Sequence, residues 1–270
     1  MMLESLSPLS KAREKILSRL LTKKYRQAER LFLAEGVRLV EEAVECGVGI
    51  KWAVATQDMG ERAKVLIKKL VERKIPVYRA EGEVFSKALD VVSPQAVAAV
   101  CRQPERKLDD LSIPGCALVV VCDGLKEPGN LGAVVRVAAA AGADAVLTGP
   151  ETVDIFNPKV LRGSMGALFR MPVIEVENTA NLCRFLSDYG FSVFTAAVEG
   201  EPLFSIDRFP SRTALVLGSE AEGSANFPEA RRVSILMARE VESLNVAVAA
   251  GIILYEIVRK TDKNPISSSI

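Results

Sequence analysis

The chain has 270 residues, 49% of them hydrophobic and 26% charged, a length for one or two domains of roughly 100–200 residues and a composition that fits a globular fold with a sizeable core. The formal net charge is +1, so no global field attracts a polyanion and any basic surface must be local. Histidine is absent, which excludes Ser-His-Asp and Cys-His catalysis, imidazole acid–base chemistry and His-ligated zinc.

The five cysteines, Cys46, Cys101, Cys116, Cys122 and Cys183, form no C-x-x-C and sit mostly in apolar runs. Free thiols in a reducing compartment are expected. No signal peptide heads the chain and no charge-free apolar run is long enough to cross a bilayer. These features predict a cytoplasmic protein with no membrane partner.

Residues 7–30 predict a helix, started by Ser7-Pro8, followed by a basic turn. Lys11, Arg13, Lys15, Arg19, Lys23, Lys24, Arg26 and Arg30 are offset only by Glu14 and Glu29. Such a run is ordinarily a solvated face; its single sign makes phosphate tracking the alternative. LFLAEG then reads as a strand, 37–47 as a helix, IKWAVAT as a strand and 59–74 as an amphipathic helix. IPVYRA (strand), VFSKALD (helix) and AVAAVCR (strand) complete a small α/β layer domain over residues 1–102. It carries no catalytic constellation, so binding is its expected task. Residues 103–115, charged and with two prolines, read as a linker.

A second domain is expected over 116–262, with a tail at 263–270. ALVVVC is a continuous apolar strand that breaks at Asp123-Gly124 into a loop with Pro128-Gly129-Asn130. A helix, AVVRVAAAAG, and a buried strand follow, making a βαβ unit whose helix start faces the strand ends. The glycines fit neither G-x-G-x-x-G nor a Walker loop, which disfavours a dinucleotide-dependent dehydrogenase. Arg136 stands alone among Ala and Val, so it needs partners or a cleft that supplies an anion. FNPKVLRGSMGALFRMPV is a short helix or turn carrying Arg162, Ser164 and Arg170. Near-continuous apolar strands at 117–122, 144–148, 191–197, 213–218 and 232–237 predict a parallel sheet covered on both faces. Ligands of such sheets sit beyond the strands' carboxyl ends, where the loops at Thr195-Ala196, Gly218-Ser219-Glu220 and Met237–Asn245 gather. The last helix opens at Glu242-Ser243-Leu244-Asn245, with Ser243 as its expected N-cap.

Three stretches, DGLKEPGNLGAVVRVAAAAG, LVLGSEAEG and SILMAREVESLNVAVAAGI, closely resemble the three ordered motifs of the SpoU/TrmH family in the SPOUT superfamily. RGSMGALFRMPV is similar to the segment after motif one in members directed at ribosomal RNA. FLAEGVRLVEEAVECG more weakly resembles the family's N-terminal substrate-binding domain. The resemblance implies an S-adenosylmethionine-dependent RNA ribose 2′-O-methyltransferase. Its implied architecture is an α/β chain with a C-terminal parallel-sheet domain bearing a trefoil knot, preceded by a small ribosomal-protein-like α/β domain, and the protein works as a homodimer.

By motif position, Asn130, Arg136, Glu220, Ser243 and Asn245 are the implied catalytic residues. Thr195, Gly218, Ile235, Met237 and Leu244 are implied to hold the methyl donor, and Lys23, Lys24, Arg26, Arg162 and Ser164 are the candidate RNA contacts. Leu236 stands where the family usually has proline, and the segment between motifs two and three is short; both bear on the donor loop. No metal is expected. Large-subunit ribosomal RNA is the expected substrate, with transfer RNA, base methylation, or a non-catalytic RNA-binding member as alternatives.

Overall fold

The computed structural model describes residues 6–89, 96–218, 227–238 and 241–261. Two compact units emerge. One holds the described residues up to Glu105 together with Phe156–Phe169; the other holds Arg106–Ile155 and the described residues from Arg170 onward.

The first unit begins with strand β1 (Ser7–Pro8), helices α1 (Lys11–Leu20) and α2 (Lys23–Glu29), strand β2 (Leu31–Glu35) and helix α3 (Val37–Glu45). It continues with β3 (Ile50–Thr56), α4 (Glu61–Glu72), β4 (Val77–Ala80), α5 (Gly82–Leu89) and β5 (Val97–Arg102). The sheet order is β1-β4-β3-β5-β2, parallel from β1 to β3 and antiparallel at β5. Ser7-Pro8 does not start a helix. It pairs with Tyr78 and Arg79 at the sheet edge, where proline's missing N–H costs no ladder bond. Ser10 caps α1 instead, accepting from the Arg13 amide. The expected basic turn is the second helix, α2, closed by Arg30 in the left-handed region at φ 54°. Leu17, Leu20, Leu33, Val54, Phe85 and Val100 close the core between helices and sheet.

The second unit runs through β6 (Ala117–Cys122), α6 (Pro128–Ala140) and β7 (Ala145–Thr148). The chain then forms α7 (Pro158–Ser164) and α8 (Ala167–Arg170) before β8 (Val173–Glu175), α9 (Thr179–Asp188), β9 (Ser192–Pro202), β10 (Arg212–Leu217), β11 (Arg231–Ser234) and α10 (Val246–Arg259). Its sheet, β11-β9-β10-β6-β7-β8, is parallel at every pairing. The apolar strands behave as expected of a doubly covered sheet: all six residues of β6 and all four of β7 are buried. Val119, Val121, Leu147, Leu186 and Val216 lie in its core. Leu108, Leu111 and Ile113 of the expected linker pack against that core.

From β6 the chain builds outward through β7 and β8, then returns to place β10 on the other side of β6. The β6/β10 boundary is therefore a topological switch point, where ligands of open parallel sheets bind. Four boundaries differ from expectation. β9 runs on to Pro202, past the expected 197. α6 starts at Pro128, not after Asn130, because proline suits the first helical position. β11 ends at Ser234, which leaves Ile235–Met237 in a loop. α10 starts at Val246 with Asn245, not Ser243, as its N-cap.

Residues 156–169 are built into the first unit. Phe156 stacks on Phe32 with ring centroids 4.9 Å apart, and Phe169 lies 5.8 Å away on the same ring. Arg162 pairs with buried Glu35 at 2.7 Å. Gly166, at φ +89°, lies so close to α3 that a Cβ would stand 2.6 Å from Glu42 Cγ, so no other residue fits there without displacement.

Candidate active site

The site forms where β6, β10 and β11 end, alongside the first half of β9. Leu217 pairs with Cys122, and the Asp123 amide donates to the Leu217 carbonyl at 2.9 Å, so Gly218 and Asp123 leave the sheet side by side. Thr195 pairs with Val216 on one flank and Arg232 on the other, and it is buried. Beyond these ends lie half-buried Ile235 and Met237, with Leu236 between them 72% exposed. Half-buried Leu244 precedes the last helix. The donor-site residues thus fall just past the carboxyl ends of β10 and β11, within β9 where it lies beside the end of β10, and on the loop before α10. Such a set of apolar side chains and strand-end backbone suits an adenine ring and a sulfonium side chain, which need apolar walls and few polar anchors. The residues present fit S-adenosylmethionine.

Asn130 lies in the first turn of α6, and Asn245 caps α10. The Ala247 amide donates to Asn245 Oδ1 at 2.9 Å, and Asn245 Nδ2 donates to Asn130 Oδ1 at 2.9 Å. A backbone N–H can face only an acceptor, so the first bond fixes which end of the Asn245 amide is oxygen. The second then fixes Asn130, whose Nδ2 keeps its donors for a ligand. Two helix N-termini, each with unsatisfied N–H groups and a positive dipole end, meet at this bond, and they favour negative charge. Ser243 is exposed beside them and does not cap the helix. Glu220 lies outside the described residues.

Arg136 is solvent-exposed, so of the alternatives left by the sequence it is not a guanidinium buried among Ala and Val. Among the described residues it makes no hydrogen bond or ion pair. Six residues along an α-helix turn the side-chain direction by about 120° net, so Arg136 leaves α6 on a different face from Asn130. Its neighbours on that face are half-buried Ala133 and exposed Ala140. Val248 and Tyr255 are 52% and 47% exposed on α10, which packs beside α6.

The candidate RNA contacts divide. Lys23 and Lys24 are exposed at the start of α2. Arg26 is 1% exposed and donates to the Leu20 carbonyl at 2.8 Å, while Gln103 donates to the Arg26 carbonyl. It locks α2 to α1 instead of facing a phosphate. Ser164 is fully buried and donates to the Leu161 carbonyl. Arg162 is held by Glu35. Both belong to the packing of 156–169. Arg13 and Arg19, part of the basic run but not among the candidate RNA contacts, lie over the rings of Tyr78 and Tyr25 at 4.0 and 5.4 Å from the centroids. Burial pushes the thiol of Cys101 up and that of Cys122 up to about 12, so neither is a nucleophile near neutral pH.

A parallel α/β sheet with a switch-point site in one unit, and a small α/β layer in the other, define an open-sheet α/β class of two-domain protein. The sequence model of the SpoU rRNA Methylase family matches residues 117–255, and that of the MRM3-like substrate binding domain matches residues 11–99. The chain belongs to the SpoU rRNA Methylase family. It is 36% identical over 240 residues to the Bacillus subtilis 23S rRNA (guanosine(2553)-2′-O)-methyltransferase RlmP, covering 87% of this chain and 92% of that one. Its fold is similar to the AdoMet-bound rRNA methyltransferase from Sinorhizobium meliloti, with TM-score 0.82, 29% identity, and coverage of 94% of this chain and 97% of that one. It is also similar to the SpoU methyltransferase AviRb of Streptomyces viridochromogenes in complex with AdoMet, with TM-score 0.82, 28% identity, and coverage of 92% and 98%.

Proposed function

We propose that this protein transfers the methyl group of S-adenosylmethionine to a ribose 2′-hydroxyl in RNA, with large-subunit ribosomal RNA as the substrate. The observation that carries the reading is the Asn245–Asn130 hydrogen bond, which brings two motif residues 115 positions apart to the switch point with defined donors. Bound S-adenosylmethionine supplies an electrophilic methyl carbon. The chain's own residues must then hold the hydroxyl in line and stabilise the charge that develops as it loses its proton.

Asn130 Nδ2 donates to a ribose oxygen, and Asn245 keeps that donor aimed. Arg136, cationic at any working pH, cannot serve as an ordinary base. Its role is to stabilise the developing alkoxide and grip the neighbouring phosphate. Ser243 orients the ribose, and the role kept for Glu220 is to hold either its own loop or Asn130. Thr195, Gly218, Ile235, Met237 and Leu244 hold the donor, as the pairing of Thr195 beside the end of β10 and the place of Gly218 and Ile235 just past β10 and β11 support. Lys23 and Lys24, on α2, meet the RNA backbone.

The protein acts as a homodimer in the cytoplasm, with the trefoil knot of its family. The outward faces of α6 and α10 support a dimer: Ala133 and Ala140 allow close approach, and Val248 and Tyr255 supply apolar area. A second copy seated there covers Arg136, so the arginine works at the junction of two copies.

The test is incubation with methyl-labelled S-adenosylmethionine and either unmodified ribosomal or transfer RNA, followed by digestion to nucleosides. Label in a 2′-O-methyl nucleoside from ribosomal RNA is expected. Label from transfer RNA alone overturns the substrate, label in a base overturns the reaction, and absence of donor binding overturns the enzyme reading.

A further inference from the structure

The chain leaves β6 through Asp123 and Gly124 on its way to Asn130, and this exit is held from outside by the turn that follows β7. The Cys122 carbonyl accepts twice, from the Gly149 amide at 2.8 Å and from the Thr152 hydroxyl at 2.9 Å. The same Thr152 oxygen accepts from the Gly124 amide at 3.1 Å. One residue on, the Val153 amide donates to the Leu125 carbonyl at 2.9 Å. Gly149 lies against Asp123 so closely that a Cβ there would stand 2.5 Å from Oδ1. Gly124 itself sits at φ 75°, a conformation the exit needs and the Thr152 bond holds.

We propose that residues 149–153 form a cradle for the catalytic loop and that Thr152 is a positioning residue for methyl transfer. Thr152 is nearly buried and touches no reacting group. Its hydroxyl satisfies a carbonyl and an amide on either side of the point where the loop leaves the sheet. Without it the Gly124 amide loses its acceptor and the Cys122 carbonyl one of its two donors, and the loop gains freedom to shift Asn130. A misplacement of ~1 Å at a reacting group can cost about 10²-fold in rate.

This inference rests on the methyltransferase reading, and one experiment separates their failures. Turnover by the wild-type enzyme comes first, since its absence sinks that reading and leaves the cradle moot. With turnover in hand, kcat, the KM for S-adenosylmethionine and the thermal midpoint are measured for Thr152→Val, Thr152→Ser and the Asn130→Ala background. Thr152→Val is expected to lower kcat at least tenfold with KM for the donor within twofold, and Thr152→Ser to restore kcat to within threefold of wild type. In the Asn130→Ala background Thr152→Val is expected to cost less than threefold more, because the residue being positioned is gone. A kcat within twofold for Thr152→Val, or a full tenfold loss that persists with Asn130 removed, overturns the proposal. Should Thr152→Val fail to fold, Thr152→Ala is judged by the same criteria.

Discussion

Asn245 is an N-cap whose second hydrogen bond reaches the other helix: its Nδ2 donates to Asn130 Oδ1 at 2.9 Å while its Oδ1 accepts from the Ala247 amide. The two duties are separable by chemistry. Aspartate caps a helix about as well as asparagine but has no donor for Asn130. Asn245→Asp is therefore expected to leave the thermal midpoint within a few degrees and to lower kcat about 10²–10³-fold, the usual cost of one preorganised electrostatic contact. Steady-state kinetics beside a melting curve check it; retained turnover would show that Asn130 needs no such support.

Arg136 and Asn130 leave α6 on different faces, which makes a mixing experiment decisive. Arg136→Ala and Asn130→Ala are each expected to lose about 10²–10³ in rate. If the arginine serves the site of the partner copy, co-refolded mixtures contain heterodimers with one intact site, and activity returns. If both residues serve the same copy, every site in the mixture lacks one of them and activity stays at the level of the single variants.

Val248 and Tyr255 stand seven positions apart on α10, about two turns, and both are exposed. Buried in a dimer they contribute apolar area; replaced by charges they must be desolvated without partners. The double change Val248→Asp, Tyr255→Glu is expected to convert the proposed dimer to monomer in light scattering and to reduce methylation with it. An unchanged mass would remove this face from the interface.

The basic segment separates into proposed contacts, the exposed Lys23 and Lys24, and scaffold, the buried Arg26. Lys23→Ala with Lys24→Ala is expected to weaken RNA binding and to reduce the slope of log K against log salt by about 2, at up to one counterion per neutralised phosphate. Arg26→Ala should instead lower the thermal midpoint, because it strips the Leu20 carbonyl of its donor. That distinction was hidden in the sequence. Arg26 reads like its neighbours until Leu20 and Gln103 are seen to enclose it.

The same logic divides the rest of the chain. Elements fixed by local pattern were legible: the apolar runs of β6 and β10 gave buried parallel strands, and the periodicity of 59–74 gave α4. What failed locally was settled by distant partners. Ser243 and Asn245 are both competent caps, and the choice rests on Asn130, far away in sequence. Ser7-Pro8 looks like a helix start, yet β4 offers it an edge. The short helix or turn expected at Arg162 and Ser164 is α7, but Glu35 and Phe32 draw that segment into the packing of the first unit, where these residues are held instead of facing RNA.

The end of α10 carries the clearest pH dependence. The Glu256 carboxylate is hydrogen-bonded by Arg259 and Lys260, and these partners, Arg259 foremost, hold its pKa near about 2, against 4.5 for an unperturbed glutamate. Lys260 also donates to the Phe204 and Ile206 carbonyls, so the cluster ties the helix to the turn after β9. The folded state binds the proton less readily than the unfolded chain. Its stabilisation is therefore complete above pH 4.5 and is lost as pH falls towards about 2. Glu256→Gln removes the charge and is expected to cost about 1–3 kcal/mol near neutral pH, in the range for charge-assisted hydrogen bonds. The gap between the two proteins should narrow steadily as denaturation is followed from pH 5 down to pH 3. A gap that stays constant over that range would mean the carboxylate contributes through packing alone.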